Sequence, residues 1–141
     1  MINTKMTREA MKIAYNAHYN QFDRAGVPYI YHPIHLAENM DSEIACVVAL
    51  LHDVVEDTDI TMEELEKTFP REVIEILKLL THDKKVDYME YIKRIKENEI
   101  ARKVKIEDIL HNADETRLDS ITEEDIIRRE KYKKALEFLR M

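Results

Sequence analysis

An all-α fold, a single compact domain of seven or eight helices, is predicted by three features of this sequence. One glycine and three prolines in 141 residues leave almost no material for tight hairpins. Apolar residues recur at i, i+3 and i+4 instead of alternating. No linker, repeat or low-complexity tract divides the chain, and residues 1–141 have the length of one domain that can bury a real core.

Taken in order, the first helix is carried by Ala10, Met11, Ala14, Tyr15 and His18 within residues 7–20. The segment FDRAGVPYIYHP then holds the only glycine and two of the three prolines, so it reads as one long loop. A short helix follows from Pro33 to Met40. Ile44, Val47, Val48, Leu51 and Val55 keep helical spacing despite the strand preference of valine, which predicts a buried helix over 43–55. Thr61 with Glu64 forms a capping box, and Pro70 suits the first position of a helix running to Leu80. Two more helices are expected over 86–96 and 100–113. The second has apolar residues around its whole circumference, as a central helix does. Thr122 with Asp125 opens a last helix whose apolar positions include Ile126, Ile127, Ala135, Leu136 and Leu139.

Composition excludes several classes of function. Apolar residues make up 45% and charged residues 36%, as in an ordered globular protein. A net charge of −7 opposes general binding to nucleic acid or to anionic membranes. The single Cys46 lies in the apolar run IACVVALL and has no partner within the chain, as expected in a reducing compartment. No run reaches 18 apolar residues and the N-terminus lacks a signal-peptide pattern, so a cytoplasmic location is expected.

The chemistry is concentrated in LLHDVVEDTD, residues 50–59. His52, Asp53, Glu56 and Asp57 are interleaved with Val54 and Val55, which a solvated helix face would not do and a plain core segment would exclude. Adjacent helix residues point about 100° apart, so His52 and Asp53 can both reach one ion beside the helix. His32 closes the punctuated loop. Asp108 shares a face with Val104 and Asn112, and a carboxylate buried there needs a compensating charge. A divalent cation held by this ordered set would supply it.

Three stretches carry a resemblance. GVPYIYHP (26–33), ALLHDVVEDTDIT (49–61) and VKIEDILHN (104–112) resemble G-x-PYI-x-HP, A-LLHD-x-VEDT and VK-x-x-D-x-x-x-N of the HD-domain metal-dependent phosphohydrolases. Within these the sequence is most similar to the hydrolase domain of the RelA/SpoT group and its small stand-alone relatives of the Mesh1 type. The resemblance implies one Mn2+ ion held by His32, His52, Asp53 and Asp108. It implies that Glu56 and Asp57 prepare the attacking water, and that Asn112 contacts substrate. The family reaction removes the 3′-pyrophosphate of guanosine tetra- or pentaphosphate.

The sequence departs from the family at two usually basic positions, which are Asp23 and Asp114 here. Negative charge beside an anionic ligand is the expected consequence. Arg24 and Lys84, with Lys85 beside it, remain as candidate phosphate contacts. His35 is expected on a helix face, His82 at a helix end, His18 in surface or loop packing, and Tyr29 and Tyr31 as anchors of the loop against the core. Two other readings follow from the departures: an HD hydrolase acting on a different nucleotide phosphate, and a weakly catalytic module that binds a nucleotide or a partner protein.

Overall fold

A computed structural model describes residues 1–141. The helices are α1 (Lys5–Ala17), α2 (Tyr31–Glu38), α3 (Glu43–Leu51), α4 (Val54–Asp57), α5 (Met62–Glu66), α6 (Arg71–Leu80), α7 (Tyr88–Lys96), α8 (Glu99–Asn112) and α9 (Glu123–Leu139), with a 3-10 turn at Glu115–Arg117. Seven of them have eight residues or more; α4 and α5 have four and five. There is no strand, only an isolated bridge between Phe22 and Pro28.

Local chemistry sets the helix starts. Thr4 accepts from Thr7 N at 3.1 Å while the Thr7 hydroxyl accepts from Thr4 N at 2.8 Å, a reciprocal cap on α1. Thr122 caps α9 reciprocally with Asp125, whereas Ser42, Thr61 and Asn98 cap α3, α5 and α8 one way only, each accepting from a backbone N–H three residues on, so Thr61 and Glu64 do not close the expected capping box. Pro70 stands one residue outside α6, as its cap. Each such cap satisfies a donor that the first turn leaves without an intrahelical partner.

The sealed element is α3, not α8. Every residue from Ala45 to Leu51 is buried. Alanines, Cys46 and valines let α1, α2, α6 and α8 approach on all sides. α8 does touch α2, α3, α6, α7 and α9, but its buried residues are only Ala101, Val104, Asp108 and Ile109, and Leu110 is exposed. Ile126 and Ile127 also lie exposed on α9, against the apolar face expected from the sequence. Because α3 is enclosed, truncating it leaves a cavity that cannot collapse. Leu50→Ala should therefore lower unfolding stability by about 2–5 kcal/mol, read by chemical denaturation. A loss within a few tenths would contradict this packing.

The helix predicted over 43–55 is broken in two at His52 and Asp53. The His52 ring turns back so that Nδ1 donates to the Ala49 carbonyl at 2.7 Å, and Asp53 sits at φ −104°, ψ −1° between the two helices. The break places both side chains at the end of a rigid, enclosed element.

The loop before α2 is equally well tied. Asp23 Oδ1 accepts from Ala25 N and Val27 N at 2.9 and 3.0 Å, and Tyr29 N donates to the Gln21 carbonyl at 2.8 Å. Gly26 has φ 82°, a conformation that side-chain-bearing residues rarely adopt. This turn delivers Tyr29 and His32 to the interior.

Candidate metal centre

His32 from α2, His52 and Asp53 from the α3–α4 break, and Asp108 from α8 converge. One ligand-capable atom from each lies within 4.8 Å of the others. His32 Nε2 is 2.8 Å from Asp108 Oδ1, and His52 Nε2 is 2.9 Å from Asp53 Oδ2 and 3.5 Å from Asp108 Oδ1. These four residues, drawn from three separate stretches of the chain, are brought together as the sequence led one to expect.

The tautomer of His52 decides what the cluster can hold. A carbonyl only accepts, so the bond to Ala49 puts the proton on Nδ1 and leaves Nε2 as a lone pair in the neutral ring. That buried Nε2 has no aligned hydrogen-bond partner, although Asp53 Oδ2 is only 2.9 Å away. A lone pair and carboxylate oxygens aimed at one point repel each other unless a cation lies between them. The electrostatics state the same demand. Burial opposes charge on His52, yet Asp53 and Asp108 raise its pKa well above the ordinary imidazole value. Burial likewise opposes the Asp108 carboxylate, but Lys105, His32 and His52 hold it well below the usual range. Asp53 is lowered too, burial being outweighed by His52. Two imidazoles and two carboxylates in this arrangement fit a divalent transition metal.

Each side chain of the cluster is steadied from behind. Tyr29 OH donates to Asp53 Oδ2. Lys105 Nζ donates to Asp108 Oδ2 at 2.9 Å, and Asn112 Nδ2 donates to Asp108 Oδ1 at 3.1 Å. His32 Nδ1 meets His111 Nδ1 at 2.7 Å. Burial and the Arg117 charge lower the His111 pKa to about 4, so this ring stays neutral and can accept from His32. That bond leaves His32 Nε2 free to face the centre.

Glu56 and Asp57 sit one turn beyond, on α4. Glu56 Oε1 accepts from His82 N, and burial, with Asp53 and Asp57 adding to it, raises the Glu56 pKa. Asp57 is raised by burial and then by Asp53. The Asp57 carbonyl accepts from Gln21 Nε2 at 2.8 Å, and Gln21 is held in turn by His18 Nδ1 at 2.8 Å. His18 is therefore a buried structural histidine and not a surface one.

A cavity of about 530 Å³ opens beside Tyr29 and Asn112, walled by Arg24, Arg128, Tyr132 and Leu136 among others. Arg24 lies there, but both its terminal nitrogens are engaged by Asp125, which Arg128 also contacts at 3.0 Å. Asp23 and Asp114 line the same cavity with their charge already engaged. Asp23 holds the loop turn and lies 3.6 Å from Arg117, while Asp114 accepts from Thr116 N and Oγ1. The expected repulsion of an anion is thereby blunted. Lys84 is exposed and lines none of the cavities around the cluster, so the fold does not bring it to the site. Tyr29 does more than anchor its loop, since it bonds a cluster carboxylate; Tyr31 is exposed. Lys105 is a site residue whose only sequence signal is the K-x-x-D spacing to Asp108, which puts the two on one helical face.

A model of the HD domain matches residues 10–114. The chain belongs to the HD-domain family. The HD chain is 38% identical over 123 residues to guanosine-3′,5′-bis(diphosphate) 3′-pyrophosphohydrolase MESH1 of Danio rerio, covering 78% of this chain and 68% of the zebrafish protein. It is 40% identical over 81 residues to a guanosine-3′,5′-bis(diphosphate) 3′-pyrophosphohydrolase of Borreliella burgdorferi, covering 53% of this chain and only 12% of that longer protein. Among solved structures, a metazoan ortholog of SpoT that hydrolyses ppGpp superposes with a TM-score of 0.77 at 26% identity, covering 96% of this chain and 85% of the other. No helix of the HD chain is long and apolar enough to cross a membrane.

Because both imidazoles must be neutral to ligate a metal, protons compete with it. Asp53 and Asp108 raise the His52 pKa well above the ordinary imidazole value, so metal affinity should fall as pH falls, by about tenfold per unit once His52 carries its proton. Competitive metal titration at a series of pH values reads this, and an affinity unchanged between mildly alkaline and mildly acidic buffer would contradict the ligand set.

Proposed function

We propose that residues 1–141 act as one divalent-metal-dependent phosphohydrolase domain that removes the 3′-diphosphate of guanosine 3′,5′-bis(diphosphate), giving GDP and pyrophosphate. The observation that carries this is the convergence of His32, His52, Asp53 and Asp108 around an unpartnered, buried His52 Nε2. The names of the similar proteins from zebrafish and Borreliella supply the substrate.

His32, His52, Asp53 and Asp108 would hold the ion, which we take to be Mn2+. When bound, it supplies a Lewis acid that lowers the pKa of water and draws charge from a phosphoryl oxygen. Glu56, fixed by His82 N, accepts the proton of the attacking water, and Asp57, tethered through its carbonyl to Gln21, orients that water. Their raised pKa values make them better proton acceptors than ordinary surface carboxylates. Tyr29 and Lys105 keep the two ligand carboxylates from turning away. The nucleoside occupies the 530 Å³ cavity, with Asn112 at its inner edge. A cytoplasmic location fits the unpaired, buried Cys46.

One observation favours a neighbouring reading. Arg24, Arg117, Arg128 and Arg129 all stand in ion pairs with acids of the same cavity, so Lys133 is the one lining cation left without an acid partner for a 5′-diphosphate. A nucleotide with fewer phosphates at that end would suit it equally. Incubation of the Mn2+-loaded protein with the bisdiphosphate, its triphosphate analogue, ordinary nucleoside triphosphates and cyclic nucleotides tests the choice. Fastest turnover of the bisdiphosphate is expected. Preference for another nucleotide supports the neighbouring reading, and metal-loaded protein that turns over none of them acts as a binding module.

A further inference from the structure

A second, smaller cavity of about 120 Å³ adjoins the cluster. His52, Asp53 and Glu56 form one wall, and Lys105 from α8 and Lys131 from α9 form another. Each lysine is held by a tyrosine ring: Lys105 Nζ lies 5.3 Å from the Tyr91 centroid and Lys131 Nζ 4.1 Å from that of Tyr88. Lys105 has one carboxylate partner, Asp108, and Lys131 has none. Lys131 differs in this from the arginines of the larger cavity, which are all paired. Burial, and then the charges of Lys105 and Arg128, lower the Lys131 pKa.

The charges do not balance without an anion. A divalent ion would neutralise Asp53 and Asp108, and Glu56 offsets only one of the two lysines. The cavity has room for a phosphate group but not for a nucleoside. Its ammonium groups are point donors suited to tetrahedral oxyanions. We propose that Lys131, with Lys105 behind it, forms the subsite for the terminal phosphate of the diphosphate, so that the pyrophosphoryl group lies between the metal ligands and α9. This rests on the reading of the cluster as a phosphohydrolase centre, and it assigns Lys131 the discrimination between a diphosphate and a monophosphate.

The test needs no turnover. Inorganic pyrophosphate and inorganic phosphate are each titrated calorimetrically into the Mn2+-loaded protein, with metal content measured before and after. Lys131→Met should weaken pyrophosphate binding by about ten- to a hundredfold, the worth of one charge-assisted hydrogen bond, and should weaken phosphate binding less. Lys131→Arg should restore most of the affinity. Lys134→Met, a lysine on the same helix that lines none of the cavities around the cluster, should change neither. Equal pyrophosphate affinity in wild type and Lys131→Met overturns the subsite, as does an equal loss in Lys134→Met. Binding that depends on Lys131 in a protein that cleaves no bisdiphosphate would instead refute the activity and leave the subsite standing.

Discussion

Asp53→Ala is expected to abolish metal binding. The substitution removes one of the four proposed ligands and releases the Tyr29 hydroxyl that steadies it. The remaining His32, His52 and Asp108 then face one another with one carboxylate for two imidazoles. Elemental analysis should fall from about one metal per chain to near zero. Thermodynamics gives a second readout. A metal present at about a thousand times its Kd stabilises the native state by about 4 kcal/mol, and the variant should lose that metal-dependent increment entirely. A variant that retains full occupancy would mean that Asp53 is not a ligand.

Glu56→Gln should do the opposite: keep the metal and lose the rate. Glutamine preserves the shape and the bond from His82 N, because its carbonyl oxygen can accept in place of Oε1. It cannot take up a proton. A fall in kcat of about 10²- to 10⁴-fold at unchanged metal content is expected, the usual range for a positioned general base. Asp57→Asn should follow with a smaller loss if its part is to orient the water. Should Glu56→Gln lose its metal as readily as Asp53→Ala, Glu56 belongs among the ligands and the division of roles fails.

The four clustered residues were legible in the sequence because each is tied to a local signal: a loop end for His32, a charged pair set among apolar residues for His52-Asp53, a helical face for Asp108. The helix class was legible from period and from the scarcity of glycine. What stayed hidden depends on groups distant in the chain. The break after Leu51 has no sequence mark, because the apolar period runs unbroken to Val55 and the interruption comes from the His52 ring bonding back to Ala49. Arg24 looked like a free phosphate contact until Asp125, 101 residues away, proved to engage it. The burial of His18 is decided by the Tyr29 ring, tilted against it with centroids 4.9 Å apart, and by Gln21 beneath α4. Asp23 is a different case. An aspartate three residues before a glycine is a turn signal in its own right, and its carboxylate does build the turn. Asp23→Arg would therefore break the loop that delivers His32, besides altering the charge of the cavity.

Product analysis in ¹⁸O-labelled water tests the central claim most directly. Metal-loaded protein is incubated with guanosine 3′,5′-bis(diphosphate), and the products are resolved by mass spectrometry. The arrangement of Glu56, Asp57 and the metal ligands predicts water addition at the phosphorus joined to the 3′ oxygen, giving unlabelled GDP and pyrophosphate carrying one ¹⁸O. A guanosine product that still bears its 3′-diphosphate, or no product with the metal in place, would contradict it.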